Sequence, residues 1–347
     1  SIFQRAPNEG VKCRMTKKPI AIVTGGAGFI GSHMVDLLIE DNFEVRVIDD
    51  LSGGHLENLN QHKNNTNLVL EKADIRDINS AHSVFKDCEF LFHFAGKGDI
   101  VPSIDQPSDY MSINVLGTVQ MLEGARAGNI KKFVYAGSSS CYGLAKTPTT
   151  EDHHINPGYP YALSKYQGEM AAFHWQKVYN LSVNSIRIFN AYGERVRTTG
   201  LYGAVFGVFL KQKLERAPFT VVGDGSQSRD FVYVSDVARA FLAAAKTSKN
   251  GEVYNLGAGN PQTINHLVQL IGGDITYIPE RPGEPKCTWA DIQKIRTHLN
   301  WEPLISFETG VTRLLDSIEN WEHAPLWDPV SIEKATKTWF TFLNKGK

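Results

Sequence analysis

Long apolar runs are missing from this chain: no stretch approaches the roughly 18 residues of a membrane span, and no bilayer-crossing helix is expected. Residues 1–18 are polar and hold no signal-peptide core. Residues 1–17 are therefore expected to be a flexible extension, with Met15 a candidate native start. A charge imbalance is missing too, since 36 Lys plus Arg face 37 Asp plus Glu for a formal net charge of -1. Without a basic patch there is no electrostatic footprint for nucleic acid or an anionic membrane, so an anionic ligand has to be held by a few placed groups. Cysteine is scarce. Cys13, Cys88, Cys141 and Cys287 show neither Cys-x-x-Cys nor Cys/His spacing, which indicates no zinc site and no disulfide framework. A reducing cytoplasm suits that pattern, and no metal is expected.

What is present starts with 347 residues, 42% of them hydrophobic, enough for a large core and a second lobe. Residues 20–24 (Ile-Ala-Ile-Val-Thr) form a short continuous apolar run of the kind a buried parallel strand shows. The run enters Gly25-Gly26-Ala27-Gly28-Phe29-Ile30-Gly31 and then a helical pattern over 32–41. Glycines at 25, 28 and 31 allow a tight turn, close approach of backbone to a pyrophosphate, and close helix-on-strand packing. The next strand, 44–48, ends in Asp49-Asp50. An acid there accepts from both ribose hydroxyls of an adenosine and repels a 2′-phosphate, which favours NAD over NADP.

Further strands are expected at 68–70, leading to Asp74-Ile75 near an adenine, and at 90–93, leading to Phe94-Ala95-Gly96. A helix over 107–127 carries Asn114, which either faces a cofactor or satisfies a buried backbone group. A strand at 132–136 delivers Ser138, Ser139 and Ser140 to the carboxyl edge of the sheet, where open α/β folds bind ligands. The strand at 182–189 ends in Phe189-Asn190, after which the α/β alternation loosens. Arg229, and Arg281 in a proline-rich loop, are either phosphate-binding or rim ion-pair residues. The tail, 301–347, reads as helical with a Trp-rich apolar face.

Tyr161 and Lys165 stand four residues apart at the start of a helical pattern opened by Pro160. That spacing puts both on one helix face. A neighbouring cation favours the phenolate, so the pair is expected to draw the Tyr161 pKa from about 10 toward neutrality and make it a general base.

The glycine motif, the acidic strand end at Asp49, the serine loop and Tyr161-x-x-x-Lys165 together resemble the extended short-chain dehydrogenase/reductases, most closely the UDP-sugar 4-epimerases, over roughly residues 17–315. The resemblance implies an α/β Rossmann-type doubly wound parallel sheet with a smaller C-terminal substrate-binding domain. NAD binding is expected in residues 18–195, with returns near 230–257, and substrate binding mainly in 196–347. It implies that Gly25, Gly28, Phe29, Ile30 and Gly31 hold the NAD pyrophosphate, and Asp49 with its neighbour Asp50 the ribose. Asp74 and Ile75 would meet the adenine, and Phe94, Ala95, Gly96, Asn114 and Phe189 the rest of the cofactor. Tyr161 is the implied base, Lys165 binds the nicotinamide ribose, and Ser138 bonds the sugar C4 oxygen. Ser139, Ser140, Asn190, Arg229 and Arg281 are implied substrate contacts. Thr288 stands at the position that gates the C2 substituent, where threonine leaves room for an acetamido group.

The implied reaction is 4-epimerisation of a nucleotide-diphosphate sugar, such as a UDP-hexose or UDP-N-acetylhexosamine, by transient oxidation at C4 and hydride return. A 4,6-dehydratase of this superfamily carries Asp-Glu right after the Ser138 position, where this chain has Ser139 and Ser140. A 4-dehydrogenase or reductase, or an epimerase at another carbon of a GDP- or CDP-sugar, stays open. Two departures feed it: Lys97-Gly98-Asp99 displaces a lysine common after Phe-Ala-Gly, and the run from Arg195 to Gly203 differs from the usual uridine loop. A non-catalytic NAD-binding scaffold has no use for a tuned phenol. A homodimer through the Tyr-x-x-x-Lys helix and its neighbour is also implied.

Overall fold

The computed structural model describes residues 17–196 and 202–344. The expected N-terminal extension, apart from Lys17, and residues 197–201 of the loop that departs from the uridine-binding pattern lie outside the described residues.

The first half is built from parallel strands joined by helical or 3-10 crossings. It runs β1 (Ile20–Thr24), α1 (Phe29–Glu40), β2 (Glu44–Asp49), β3 (Leu68–Lys72) and β4 (Phe90–His93). It continues with α2 (Ile100–Asp105), α3 (Pro107–Met111), α4 (Gly117–Ala127), β5 (Lys132–Ser138), α5 (Pro160–Tyr179) and β6 (Val183–Ile188). The second half holds β7 (Asn190–Tyr192), α6 (Val205–Leu214), β8 (Phe219–Val222), β9 (Ser228–Arg229), β10 (Phe231–Tyr233), α7 (Val234–Lys246) and β11 (Glu252–Leu256). The chain closes with β12 (Gln262–Thr263), α8 (Ile264–Ile271), β13 (Ile275–Ile278), α9 (Gln293–Leu299), α10 (Phe307–Asp316) and α11 (Pro329–Leu343).

Seven strands form one parallel sheet in the order β11-β6-β5-β4-β1-β2-β3. The chain winds outward from β1 to β3, returns to the other side of β1, and winds out again through β4. The order therefore reverses between β1 and β4, where a crevice opens at the carboxyl ends. All five residues of β1 are buried, as expected of a strand covered on both faces. Period two sorts them: Ala21 and Val23 pack with Met34 and Leu38 of α1 and Val237 and Phe241 of α7. Ile20 and Ile22 pack with Met121 and Leu122 of α4 and Ala172 of α5. A third cluster, rich in aromatics, joins Tyr192, Phe206, Phe219, Phe231, Phe307 and Trp321.

The single helix expected over 107–127 is instead three pieces, because residues 112–116 form one π-helical turn between α3 and α4. That turn frees the Asn114 carbonyl to accept from Thr118 Oγ1 at 2.7 Å. The helix α2 goes unforeseen. Its Pro102 reads as a breaker, yet in a first turn the missing N–H costs nothing. The tail splits likewise. Trp321 enters the aromatic cluster, while α11, opened by a capping box between Asp328 and Ser331, packs on α2.

Candidate active site

At the switch point lies a cavity of about 990 Å³. Its walls include Gly25, Gly28, Phe29, Ile30, Gly31, Asp49, Asp50, Asp74 and Ile75 at one end. Phe94, Ala95, Gly96 and Phe189 share the cavity with Ser138, Tyr161 and Lys165.

The glycine loop is shaped by backbone contact. Gly25 has φ +68°, and a Cβ there would come within 2.8 Å of Ala95 N. A Cβ on Gly31 would stand 2.1 Å from Gly25 O. The first hydrogen-bonded amide of α1 is Ser32 N, to Gly28 O at 3.0 Å, so the amides of Phe29, Ile30 and Gly31 stay free for an anion. Asp49 accepts from Ala27 N and Leu51 N, both at 2.9 Å. Burial pushes its carboxyl pKa up and those amides pull it down, and each oxygen keeps a lone pair for a ribose hydroxyl. The Arg76 side chain holds Asp74 at 2.6 Å and lowers its pKa. A closely approached backbone, free helix amides and a carboxylate at the end of β2 fit an NAD-type dinucleotide.

Ser138 ends β5 and lies 2.7 Å from Ser140, Oγ to Oγ. It also hydrogen-bonds the Tyr161 phenol. Pro160 sits at the first helical position of α5, where its fixed φ suits the helix, and this presents Tyr161 and Lys165 to the cavity. Burial pushes the Tyr161 phenol above its ordinary value, the Ser138 hydrogen bond pulls it back, and Asp99 adds to the rise. The lowering expected from Lys165 is therefore corrected: the protein groups alone raise this phenol. Lys165 is itself pushed down to about 8 by burial, with its ammonium 4.9 Å from the Tyr135 ring centroid. Glu169, one turn further along α5, opposes that drop. Sequence reasoning passed over Glu169, although the i+4 spacing from Lys165 was its signal. It is buried in a pair with Arg187 at 2.6 Å.

Asn114 does not line the cavity. Its side chain accepts from Lys97 N at 2.8 Å and donates to Lys97 O at 3.0 Å and Ser164 Oγ at 2.9 Å. The structure thus favours the second of its two expected roles, holding the loop after β4 to α5. A second relay was missed: Ala95 N donates to Thr24 Oγ1 at 3.1 Å, and Thr24 Oγ1 meets His93 Nδ1 at 2.7 Å. His93 Nε2 in turn meets Thr118 Oγ1 at 2.9 Å. A histidine closing an apolar strand was the legible hint.

Ser139, Ser140, Asn190, Arg229, Arg281 and Thr288 also stand outside the cavity wall, each engaged by protein or unassigned. Ser140 bonds Ser138 and Tyr159. Thr288 donates to Asn190 Oδ1 at 2.8 Å, and Arg229 pairs with Glu284 at 2.8 Å. Arg281 donates to the Tyr202 hydroxyl. Phe189 and Tyr202, which do line the cavity, are the neighbours through which this cluster abuts it. Trp327 and Ala335 also line the cavity and were not foreseen.

A sequence model described as the NAD dependent epimerase/dehydratase family matches residues 21–257. A putative UDP-glucose 4-epimerase of Methanocaldococcus jannaschii is 39% identical over 308 residues, 86% of this chain and 98% of that protein. The solved UDP-N-acetylglucosamine 4-epimerase from Methanobrevibacter ruminantium M1, in complex with UDP-N-acetylmuramic acid, superposes with TM-score 0.81 at 33% identity, covering 87% of this chain and 100% of that one. UDP-glucuronic acid 4-epimerase from Bacillus cereus, in complex with UDP-glucuronic acid and NAD, gives TM-score 0.81 at 30% identity, with 87% and 99% covered. On these matches and the glycine, Asp49 and Tyr161/Lys165 geometry, the chain belongs to the NAD-dependent epimerase/dehydratase family.

Proposed function

We propose that this protein is an NAD-dependent nucleotide-sugar 4-epimerase acting on a UDP-hexose or UDP-N-acetylhexosamine. The observation that carries the reading is one continuous cavity joining a dinucleotide cradle to Ser138, Tyr161 and Lys165. Gly25 to Gly31 would hold the pyrophosphate, Asp49 the ribose, and Lys165 the nicotinamide ribose. NAD, when bound, supplies the reversible hydride acceptor and a positive ring charge. Tyr161, as phenolate, would take the C4 hydroxyl proton while the hydride passes to bound NAD, and would return the proton when the hydride comes back; Ser138 fixes the sugar oxygen beside it. Because the protein alone raises the phenol pKa, the positive charges of the loaded site must offset burial before Tyr161 works as a base.

Elimination across C5 and C6 needs a further acid–base pair, and Ser139 and Ser140 offer none. Asn190, Arg229, Arg281 and Thr288 belong to this proposal as the nucleotide-sugar end, together with the lobe division near residue 195. So does a homodimer, supported by Leu116, Leu163, Met170 and Val178 standing exposed on and beside α4 and α5.

The test is NMR of UDP-, GDP- and CDP-sugars incubated with the protein, with NADH absorbance followed. A C4 epimer of a UDP-sugar without net NADH is expected. Tyr161→Phe should retain NAD and lose about 10³-fold in kcat; net NADH accumulation would show a dehydrogenase instead.

A further inference from the structure

We infer that α11 closes the substrate end of the cavity and that the side chain at position 335 sets the room left there. The inference rests on the reading of the cavity as an NAD and nucleotide-sugar site. It starts from how α11 is held. Ile332, Thr336 and Trp339 are its buried residues, spaced 4 and 3 apart and so on one face. On one side the helix packs against α2, which in turn packs against α5, the helix bearing Tyr161. On the other, the Trp339 indole donates to Pro282 O at 2.7 Å, and its ring lies 5.6 Å from the Arg281 guanidinium.

Arg281 also stacks on Tyr202 at 4.8 Å, and the Tyr202 ring meets Trp327, just ahead of α11, edge-on at 5.4 Å. Three aromatic rings and one guanidinium thus tie α11 to the loop of the proposed nucleotide-sugar end, while α2 ties it to the catalytic side. The helix spans both and roofs what lies between. Ala335 is its contribution to the wall, and Trp327, just ahead of it, adds a second. Ala335 is half-buried and ends in a single methyl, so any longer side chain grows into the cavity. Trp327 and α11 lie beyond residues 21–257 matched by the family model, whereas Tyr202, α2 and α5, against which they are set, lie within it.

Two opposite substitutions test the inference. Ala335→Leu removes room and Ala335→Gly adds it. Each is purified, checked for NAD content by absorbance, and assayed for kcat and KM on UDP-hexose, UDP-hexuronate and UDP-N-acetylhexosamine. Ala335→Leu is expected to lower kcat/KM for a bulkier sugar relative to UDP-hexose by about tenfold, through KM, with NAD content kept. Ala335→Gly is expected to move the same ratio the other way. Both variants moving the ratio in one direction would mean general damage to the helix and overturn the inference, as would unchanged ratios in an active protein. Wild-type protein that turns over none of the sugars would instead sink the functional reading itself.

Discussion

The two ends of the cavity are built from different material. The cofactor end is backbone: a left-handed glycine, a glycine pressed on a carbonyl, free helix amides, and one carboxylate whose partners are main-chain N–H groups. The proposed nucleotide-sugar end, which abuts the cavity from outside its wall through Phe189 and Tyr202, is side chain against side chain. Thr288 is bonded to Asn190, Arg229 to Glu284, Arg281 to Tyr202 and Trp339. The first end is fixed once the strand and helix around it form, and it tolerates no added atoms. The second is a mesh of polar pairs drawn from distant parts of the chain, where one substitution re-pairs its neighbours and leaves the fold standing. A common nucleotide cradle joined to a variable sugar pocket is what that difference predicts.

The sharpest break should come at the backbone end. Gly31→Ala puts a carbon 2.1 Å from Gly25 O and 2.8 Å from Gly25 C, and neither atom belongs to a flexible side chain. The loop has to move, at about 3 kcal/mol, equivalent to over 100-fold in NAD affinity. Isothermal titration with NAD and the absorbance of the purified protein read this directly. Wild-type retention of NAD by the variant would mean that the glycine loop is not the cradle.

A weaker and differently shaped effect is expected at the other end. Arg229→Ala removes a nearly buried guanidinium and leaves Glu284 unpaired. Loss of a charged hydrogen bond is worth about 1.5–3 kcal/mol, so KM for the nucleotide sugar should rise about 10- to 100-fold while NAD content stays unchanged. Parallel loss of NAD would erase the distinction between the two ends.

Legibility followed the same divide. The strands, the glycine loop, Asp49 and the Tyr161/Lys165 pair are local patterns, and the strands 20–24 and 90–93 stand where the sequence pattern put them. What stayed hidden depends on contacts between distant residues. Asn114 reads as a polar residue on a helix, and only its bonds to Lys97 and Ser164 reveal a clamp. The π turn at 112–116 leaves no periodic trace. Arg229 and Arg281 are visible as arginines, but their partners 55 and 79 residues away are not. The Tyr161 pKa failed for a related reason: spacing predicts a neighbouring charge and says nothing about the burial that raises the phenol.

The smallest effect concerns the join between the two ends. His93 sits between Thr24, which holds the backbone of Ala95, and Thr118, which donates to the Asn114 carbonyl. Because Thr118 gives its proton to Asn114, it accepts from His93 Nε2–H, and Nδ1 then accepts from Thr24. That tautomer has no place for a second proton, and burial holds the ring neutral, its pKa down to about 3. Unfolded, the same ring protonates near 6.5. Between those values the unfolded chain binds one proton more, so His93 contributes stability above pH 6.5 that is lost as pH falls toward 3, at up to about 1.4 kcal/mol per pH unit. His33, held to about 4, titrates in wild type and variant alike and cancels. His93→Gln should be less stable than wild type at pH 7.5, where relay bonds are lost, but should decline less steeply on acidification, so that urea midpoints converge by pH 4.5. Parallel midpoint curves across that range would show that the relay does not carry a neutral, buried His93, and the two ends would have to be coupled by packing alone.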